Sequence, residues 1–537
     1  MSQNKVLVFG IDGATFDIIR PAIERGKMTN LKKLMDAGAS GPLQSTIHPI
    51  TPMAWTSFAT GTNAGKHGIF DFARIDNDRI LLNNGCDRRM PAIWTHLTEQ
   101  QRPSVVVNVP FTYPPEQING VMVPGFEAPY VTRDVFHPES VYDDLLKEFG
   151  HYEFDWTFPI GRKLDVAGYR EQCRKTIDHR GETSLHLLKN YPWDFFMVVF
   201  STPDHVQHVF WKMEDGHAAI EDIYDQCDQW LGRYLEAIDD DTTVVIMSDH
   251  GFGAIEKIVY LDNWLEQEGF LKRAQPGMKQ KVIPALKRTL QRILPTSLRK
   301  RISGRLAGLK GRLEAQQFGG TLDWANTKAF SYGMYGNIYI NAKGAWPHGI
   351  VEPDQYDAVC QQVIDRLMEL KDPDTGQPVV DKVHRRQDLY SGEQAGQAPD
   401  LVVQWKDYAY YTKRGLDTGT DIFADDLMID ASEFPHTGTH RLDGVFVAKG
   451  PNIRPGMDLS ARIIDLAPTI LKLLGIHPGA QMDGRVLDEI FASDVPETTS
   501  TETSGPLATG AVKQAGAISE EEEEAVRERL RSLGYIE

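Results

Sequence analysis

Six oxygen and imidazole donors follow apolar runs or sit in loops beside them: Asp12, Asp204, His208, Asp249, His250 and His440. Mixed carboxylate and imidazole donors suit zinc first and manganese second, and match calcium or a thiolate-selective site poorly. Six donors are enough for two divalent ions. Asp204 and His208 are four residues apart, so a helical turn after Pro203 puts both on one face. His205 is one residue out of phase and is read as a neighbour of the site, not a ligand. Asp249 and His250 are adjacent and can serve together only on an irregular loop, because in a regular strand they would diverge. Each residue alone has a plainer reading, since an Asp after a strand commonly forms a turn or caps a helix. Their coincidence at separate strand ends is what points to a metal site.

The stretch Ile50-Thr51-Pro52-Met53-Ala54-Trp55 supplies a hydroxyl for such a site. A Thr followed by Pro reads as a helix N-cap with Pro at the first helical position. Thr51 would then lie at the positive end of a helix dipole, where a phosphate or an ionised alkoxide is stabilised. Taken alone, Thr51 is equally a simple cap. Beside two ions about 4 Å apart it becomes a nucleophile for attack at phosphorus that needs no side-chain general base.

The elements that must position these residues are short apolar runs. They are Val6 to Gly10, Ser104 to Val109, Phe195 to Phe200, Thr243 to Met247 and Gly444 to Ala448. Helical spacing separates them, notably Ala219 to Ile238 and Ile463 to Leu474. Continuous apolar strands alternating with helices predict an α/β fold with a largely parallel central sheet covered on both faces. Ligands of such sheets gather beyond the carboxyl ends of the strands.

The 537 residues carry a formal net charge of −18, which disfavours binding to a nucleic acid duplex. Four dispersed cysteines, with no CxxC pair, indicate neither a disulfide framework nor a thiolate zinc site. With no signal-like apolar region and no run of eighteen apolar residues, the expected location is cytoplasmic, with a peripheral membrane contact as an option. The charge balance inverts from Lys272 to Arg312, which has thirteen Lys or Arg and no acid. Interleaved Leu and Ile make this segment either a basic amphipathic surface for anionic lipid or a packed insertion. The expected organisation has catalytic core at 1–110, 191–268 and 319–494. A cap or a long excursion over the sheet edge is expected at 111–190, the basic insertion at 269–318, a disordered linker at 495–518 and a C-terminal helix at 519–537.

The constellation resembles the alkaline phosphatase superfamily, on the branch of predicted phosphohydrolases similar to type I phosphodiesterases and nucleotide pyrophosphatases. Thr60-Gly61, His67-Gly68-Ile69, Asp465-Leu466-Ala467-Pro468-Thr469 and the tail Leu530-Arg531-Ser532-Leu533-Gly534-Tyr535 carry the resemblance further. It implies an alkaline-phosphatase-like fold and a phosphothreonine intermediate on Thr51. It also implies one metal held by Asp12, Thr51, Asp249 and His250, and another by Asp204, His208 and His440. Lys66 and His67 are expected to be scaffold.

The chain departs from the diesterase pattern at Phe72, which stands where relatives place an Asn that binds a phosphoryl oxygen. Asn108 or one of Tyr332, Tyr335 and Tyr339 is left to replace that amide, and the Phe72 ring to pack on an apolar or sugar leaving group. Sulfatase chemistry is excluded, because Thr51-Pro52-Met53-Ala54-Trp55 lacks the Cys or Ser with following Pro and Arg that formylglycine formation needs. The leading expectation is a phosphodiesterase or phosphatase acting on a phosphorylated small molecule or lipid headgroup. The alternatives are a phosphomutase or phospho-headgroup transferase and, from another class, a non-catalytic membrane-docked metal-binding scaffold.

Overall fold

The computed structural model describes residues 4–76, 79–156, 165–274, 321–415, 419–425, 436–492, 518–533 and 535. The basic run 272–312 beyond residue 274 and the linker 495–517 lie outside the described residues.

A nine-stranded sheet organises the chain. Its strands are β1 (Val6–Ile11), β2 (Ala39–Gln44), β3 (Ser104–Val109), β4 (Gly120–Pro124), β5 (Phe195–Phe200), β6 (Thr243–Met247), β7 (Asp443–Lys449), β8 (Met457–Asp458) and β9 (Ala461–Arg462). Their order is β8-β2-β7-β6-β1-β5-β3-β4, with β9 also on β2. The central strand β1 runs parallel to β5 and β6, and all six of its residues are buried. Burial on both faces explains why these strands read as continuous apolar runs and not as alternating ones.

The strands nevertheless split residue by residue between two cores. Leu7, Phe9 and Ile11 face one layer with Phe196, Val198 and Phe200, against the helices Val166–Asn190 and Gly216–Leu235. Val6 and Val8 face the other with Phe195 and Met197, against Ala54, Trp55 and Phe58 of the helix Thr51–Thr60 and Ile470 and Leu471 of the helix Leu466–Leu473. This period of two fixes which helices each strand can carry.

Three sequence expectations change. The strand expected at Gly444 to Ala448 is present as β7, but it runs antiparallel to both β2 and β6. Residues 111–190, expected as a cap or a long excursion over the sheet edge without clear strands, supply the edge strand β4, paired parallel to β3, and the 25-residue helix Val166–Asn190 on the sheet face. Residues 319–494, expected as one block of core, divide in two. Ala329–Ser331, Asn337–Ile340, Leu401–Trp405 and Val380–Arg385 form their own four-stranded antiparallel sheet, and only the chain from β7 onward rejoins the main one. That smaller sheet packs with the helix Tyr356–Met368 around Val363, Leu367 and Trp405. Short-range patterning records that a strand exists, whereas direction and partner are set by contacts far along the chain.

Candidate metal centre

Asp12 follows β1, and Gly13 turns the chain at φ +68°, where an L side chain would be strained. The Gly13 N–H donates to Asp249 Oδ1 at 3.3 Å, and Trp55 Nε1–H donates to Asp12 Oδ2 at 3.2 Å. Asp249 and His250 lie in the irregular bend after β6, the geometry that lets neighbours serve one site. Ser248 Oγ ties that bend, accepting from the Ala14 N–H at 2.7 Å and donating to His250 O at 2.6 Å.

Asp204 and His208 ride on the helix Thr202–Phe210, which has Pro203 in its first turn, and their side chains approach to 3.5 Å. His440 sits in a two-stranded ribbon, Gly438–Arg441 against Gly251–Ala254, opposite Phe252. It precedes β7, and because β7 runs antiparallel to β6, its entry end lies at the edge where β1, β5 and β6 exit. One reversed strand therefore delivers a residue from its N-terminal side to a site otherwise built from C-terminal ends.

Thr51 is the first residue of its helix, and Ile50 takes the cap position expected for Thr51. The first intrahelical bond runs from the Ala54 N–H to Ile50 O at 2.9 Å, so the Thr51 hydroxyl is not spent on capping. It is fully buried, with Oγ1 3.4 Å from His250 Nε2.

The seven expected site residues converge. Asp12, Thr51, Asp204, Asp249 and His250 are 0% exposed, His440 1% and His208 3%. His250 Nε2 lies 3.1 Å from Asp249 Oδ2 and 3.7 Å from Asp12 Oδ1, and His440 Nε2 lies 3.2 Å from Asp204 Oδ1. The His250 and His440 rings stack with centroids 3.6 Å apart.

Each imidazole places Nδ1 against a backbone carbonyl. His208 meets Gly438 O at 2.9 Å, His250 meets Gly251 O at 3.1 Å and His440 meets Pro49 O at 2.7 Å. A carbonyl only accepts, so the ring hydrogen sits on Nδ1 and the Nε2 lone pair of all three points into the site. Burial drives His208 down to about 4 and His250 well below its ordinary value, which keeps both rings in that neutral form.

The carboxylates complete the pattern. Burial and the neighbouring Asp249 and Asp204 raise Asp12 well above the ordinary range, and burial raises Asp249 to about 7. Asp12 Oδ1, Asp204 Oδ1 and Asp249 Oδ2 are buried without any hydrogen-bond donor. Orphaned carboxylate oxygens facing imidazole lone pairs fit divalent cations, since no group among the described residues donates to them. Two groups have ligand atoms mutually within 4.8 Å: Asp204 with His208 and His440, and Asp12 with Asp204 and His250. Asp204 belongs to both groups and so stands between the two positions.

The candidates for substrate contact are placed differently. Phe72 is 1% exposed and stacks on Tyr535 at 4.8 Å, with its edge toward Phe111 at 5.7 Å. Asn108 is buried, and its amide donates to Val199 O at 2.8 Å and Ser201 Oγ at 3.1 Å. It therefore ties strand ends together and has no hydrogen left for a phosphoryl oxygen. Tyr335 places its hydroxyl 2.9 Å from His440 Nδ1, behind the ligand ring. Tyr332 is half-buried, its N–H donating to Asn337 O at 3.3 Å. Lys66 pairs with Asp483 at 2.6 Å, and His67 Nε2 lies 2.9 Å from Ser57 Oγ.

Two functional neighbours escaped the sequence reading. Trp55 holds Asp12 from the next turn of the Thr51 helix, where it reads as a core residue. Tyr535 donates to Asp204 Oδ2 at 2.8 Å, and burial together with the nearby carboxylates raises its phenol well above the ordinary value, so it stays a donor. The tail motif was visible in the sequence, but no spacing rule connects it to Asp204.

A parallel-dominated sheet with a buried hydroxyl and a carboxylate–imidazole cluster at its carboxyl edge defines an alkaline-phosphatase-like hydrolase acting on phosphoric ester bonds. The chain belongs to the type I phosphodiesterase / nucleotide pyrophosphatase family, whose sequence profile matches residues 6–439. No curated protein sequence matches it. The fold is similar to human ectonucleotide pyrophosphatase / phosphodiesterase 5, with TM-score 0.50 and 12% identity, covering 91% of this chain and 100% of that one. The same values relate it to an inactive variant of the murine protein, with one threonine replaced by alanine, in complex with AMP.

Proposed function

We propose that the chain is a metal-dependent phosphodiesterase that works through a phosphothreonine on Thr51. The observation that carries this reading is the shared orientation of His208, His250 and His440, each held at Nδ1 by a carbonyl with Nε2 directed at donor-less carboxylates beside the Thr51 hydroxyl. Zinc is the metal this donor set suits best, and manganese the next. Asp12, Asp249, His250 and the Thr51 hydroxyl would hold one ion, and Asp204, His208 and His440 the other, with Asp204 close to both. Bound there, the ions supply Lewis-acid stabilisation of the charge that develops on the attacking, bridging and leaving oxygens.

The remaining work belongs to the chain. Thr51 Oγ1 loses its proton and forms a bond to phosphorus, the leaving alkoxide departs, and water later cleaves the Thr51 ester and regenerates the hydroxyl. The N-terminus of the Thr51–Thr60 helix directs its positive end at the phosphoryl group. Burial of every donor excludes bulk water and strengthens these interactions. The substrate is a phosphorylated small molecule, and the AMP held by the murine relative's inactive variant supports a nucleotide-like group as one candidate.

Metal analysis of the purified chain, with turnover of nitrophenyl phosphodiesters before and after chelation, tests the reading. Two ions per chain and activity restored by zinc or manganese are expected, and turnover by verified metal-free protein would overturn it.

For location, we retain the reading of a cytoplasmic protein whose segment 272–312 meets anionic membrane surfaces. Its support is the thirteen basic residues in a chain of net charge −18. Among the described residues, no helix is long and apolar enough to cross a membrane.

A further inference from the structure

Tyr535 reaches the metal centre from the far end of the chain. It follows the helix Glu520–Leu533, and its N–H donates to Leu530 O at 2.9 Å, which turns the side chain back under the helix. Arg529 anchors the helix to the sheet edge, donating to Asp155 O at 2.6 Å and to Phe126 O. Tyr113 Oη donates to Glu522 at 2.9 Å, and Leu530 and Leu533 are 1% exposed in the same apolar cluster as Phe72.

The phenol ring lies between two others, 4.8 Å from Phe72 and 5.1 Å from Phe126, each at 21°. Rings on both sides fix where the hydroxyl can go. That hydroxyl lies 2.8 Å from Asp204 Oδ2 and 3.1 Å from His205 Nε2. A carboxylate only accepts, so Tyr535 donates to Asp204 and His205 donates to the phenol oxygen. Oδ2, which also stands 3.5 Å from His208 Nε2, is thereby held, while Oδ1 of the same carboxylate has no donor and stands 3.2 Å from His440 Nε2.

We propose that Tyr535 is a positioning residue of the metal centre: its hydroxyl holds Asp204 Oδ2 and thereby turns Oδ1 to the metal position shared with His208 and His440. The inference rests on the metal-dependent reading above. It assigns the last helix the task of delivering one hydroxyl to one ligand, and it accounts for the polar tip of Tyr535 where a phenylalanine would satisfy the stack alone.

The test compares wild type with Tyr535→Phe in the intact chain, which keeps the ring and removes only the hydroxyl. Zinc affinity is read by competition with a chromogenic chelator, and turnover of a nitrophenyl diester is followed against free zinc. The expected result is one of two zinc ions bound ~10-fold or more weakly, the range for losing a hydrogen bond to a ligand. Turnover should be depressed at limiting zinc and recover at excess zinc, with KM unchanged. Tyr535→Ala, which also removes the ring, should lose thermal stability that Tyr535→Phe keeps. Wild-type zinc affinity in Tyr535→Phe, or a loss that excess zinc does not restore, would overturn the proposal by reducing Tyr535 to packing. A gain in turnover would overturn it too, by making the segment a plug. If wild type itself takes up no zinc or manganese, the metal-dependent reading fails and this one falls with it. If wild type binds two ions and Tyr535→Phe matches it, only the role of Tyr535 falls.

Discussion

The Nε2 atoms of His208 and His440 lie 3.1 Å apart although both rings keep their hydrogen on Nδ1, against Gly438 O and Pro49 O. Two lone pairs therefore face each other across a buried gap, with Asp204 beside them. A tetrahedral zinc with bonds of about 2.0–2.1 Å spaces two nitrogens by roughly 3.3 Å, so the gap has close to the width such an ion imposes. The gap therefore fits the cation proposed for it.

In the proposed mechanism, Thr51→Ala removes the nucleophile and one of several metal donors. Turnover of a phosphodiester should fall by ~10³-fold or more, while two metal ions remain bound. Thr51→Ser keeps the hydroxyl and should stay within about tenfold of wild type by the same reasoning. An alanine variant with wild-type turnover removes the phosphothreonine from the mechanism.

Metal affinity should depend on pH in a specific window. Without metal, burial holds the Asp249 proton up to about 7, compared with 3.8 for an ordinary Asp. Binding an ion expels that proton, so affinity should rise up to ~tenfold per pH unit until pH passes about 7, and then level for this group. His208, held near 4, is already neutral across this range and does not compete. The stability of the metal-free protein carries both signs. The raised Asp249 favours folding most at low pH, and its share is lost as pH rises through about 7. The depressed His208 favours folding above its unfolded value of 6.5, and its share is lost as pH falls toward 4. Zinc competition titrations from roughly pH 5 to 8 read the protons expelled from Asp249 and the raised Asp12 beside it, and an affinity already level at pH 5 would contradict the prediction.

Gly13→Ala should damage the site more than the fold. At φ +68° any side chain is strained, and a Cβ would stand 3.1 Å from Gln207 Nε2 and 3.2 Å from Asp204 Oδ1. Gly26, at φ +83°, has nothing within 4 Å of a Cβ and serves as the control. Both alanine variants should lose about 1–2 kcal/mol for the left-handed backbone, and only Gly13→Ala should also weaken zinc binding. Equal zinc affinities in the two variants would show that the close approach to Asp204 is tolerated.

Phe72→Asn is expected to destabilise the fold and not to raise diester turnover, because Phe72 is buried. The ring is enclosed by Tyr535 and Phe111, so an amide there leaves a cavity and an unpaired polar group. Phe-to-small substitutions in cores cost about 3–5 kcal/mol, which a thermal melt reads directly. A stable variant with raised turnover of nitrophenyl diesters would show that position 72 faces substrate after all.

The segment 272–312 should bring the chain to anionic vesicles and not to neutral ones. Removing its thirteen positive charges from −18 leaves the rest of the chain at −31, so attraction must be local. Each Lys or Arg at such a surface contributes about 1 kcal/mol, an effect that added salt screens. Co-sedimentation with neutral and anionic liposomes decides, and equal partitioning favours a packed insertion.

The sequence by itself determined what local patterns can encode. Apolar runs located five strands of the main sheet, the Thr-Pro step located the start of the nucleophile helix, and four-residue spacing put Asp204 and His208 on one face. Donor chemistry chose the seven residues that the structure brings together. Tertiary structure alone decided the rest. The reversal of β7 places His440 at the carboxyl edge, and three separate carbonyls set the imidazole tautomers. Asp204 stands within reach of both candidate metal groups, and Phe72 and Asn108 are committed to packing and strand ends. Tyr535 and Asp204 are 331 residues apart, and no periodicity or turn preference reaches across that distance. Strand and helix signals arise from neighbours within one or two turns. A hydrogen bond between distant segments leaves no trace in either segment's own pattern, because it is specified by the packing of everything between them.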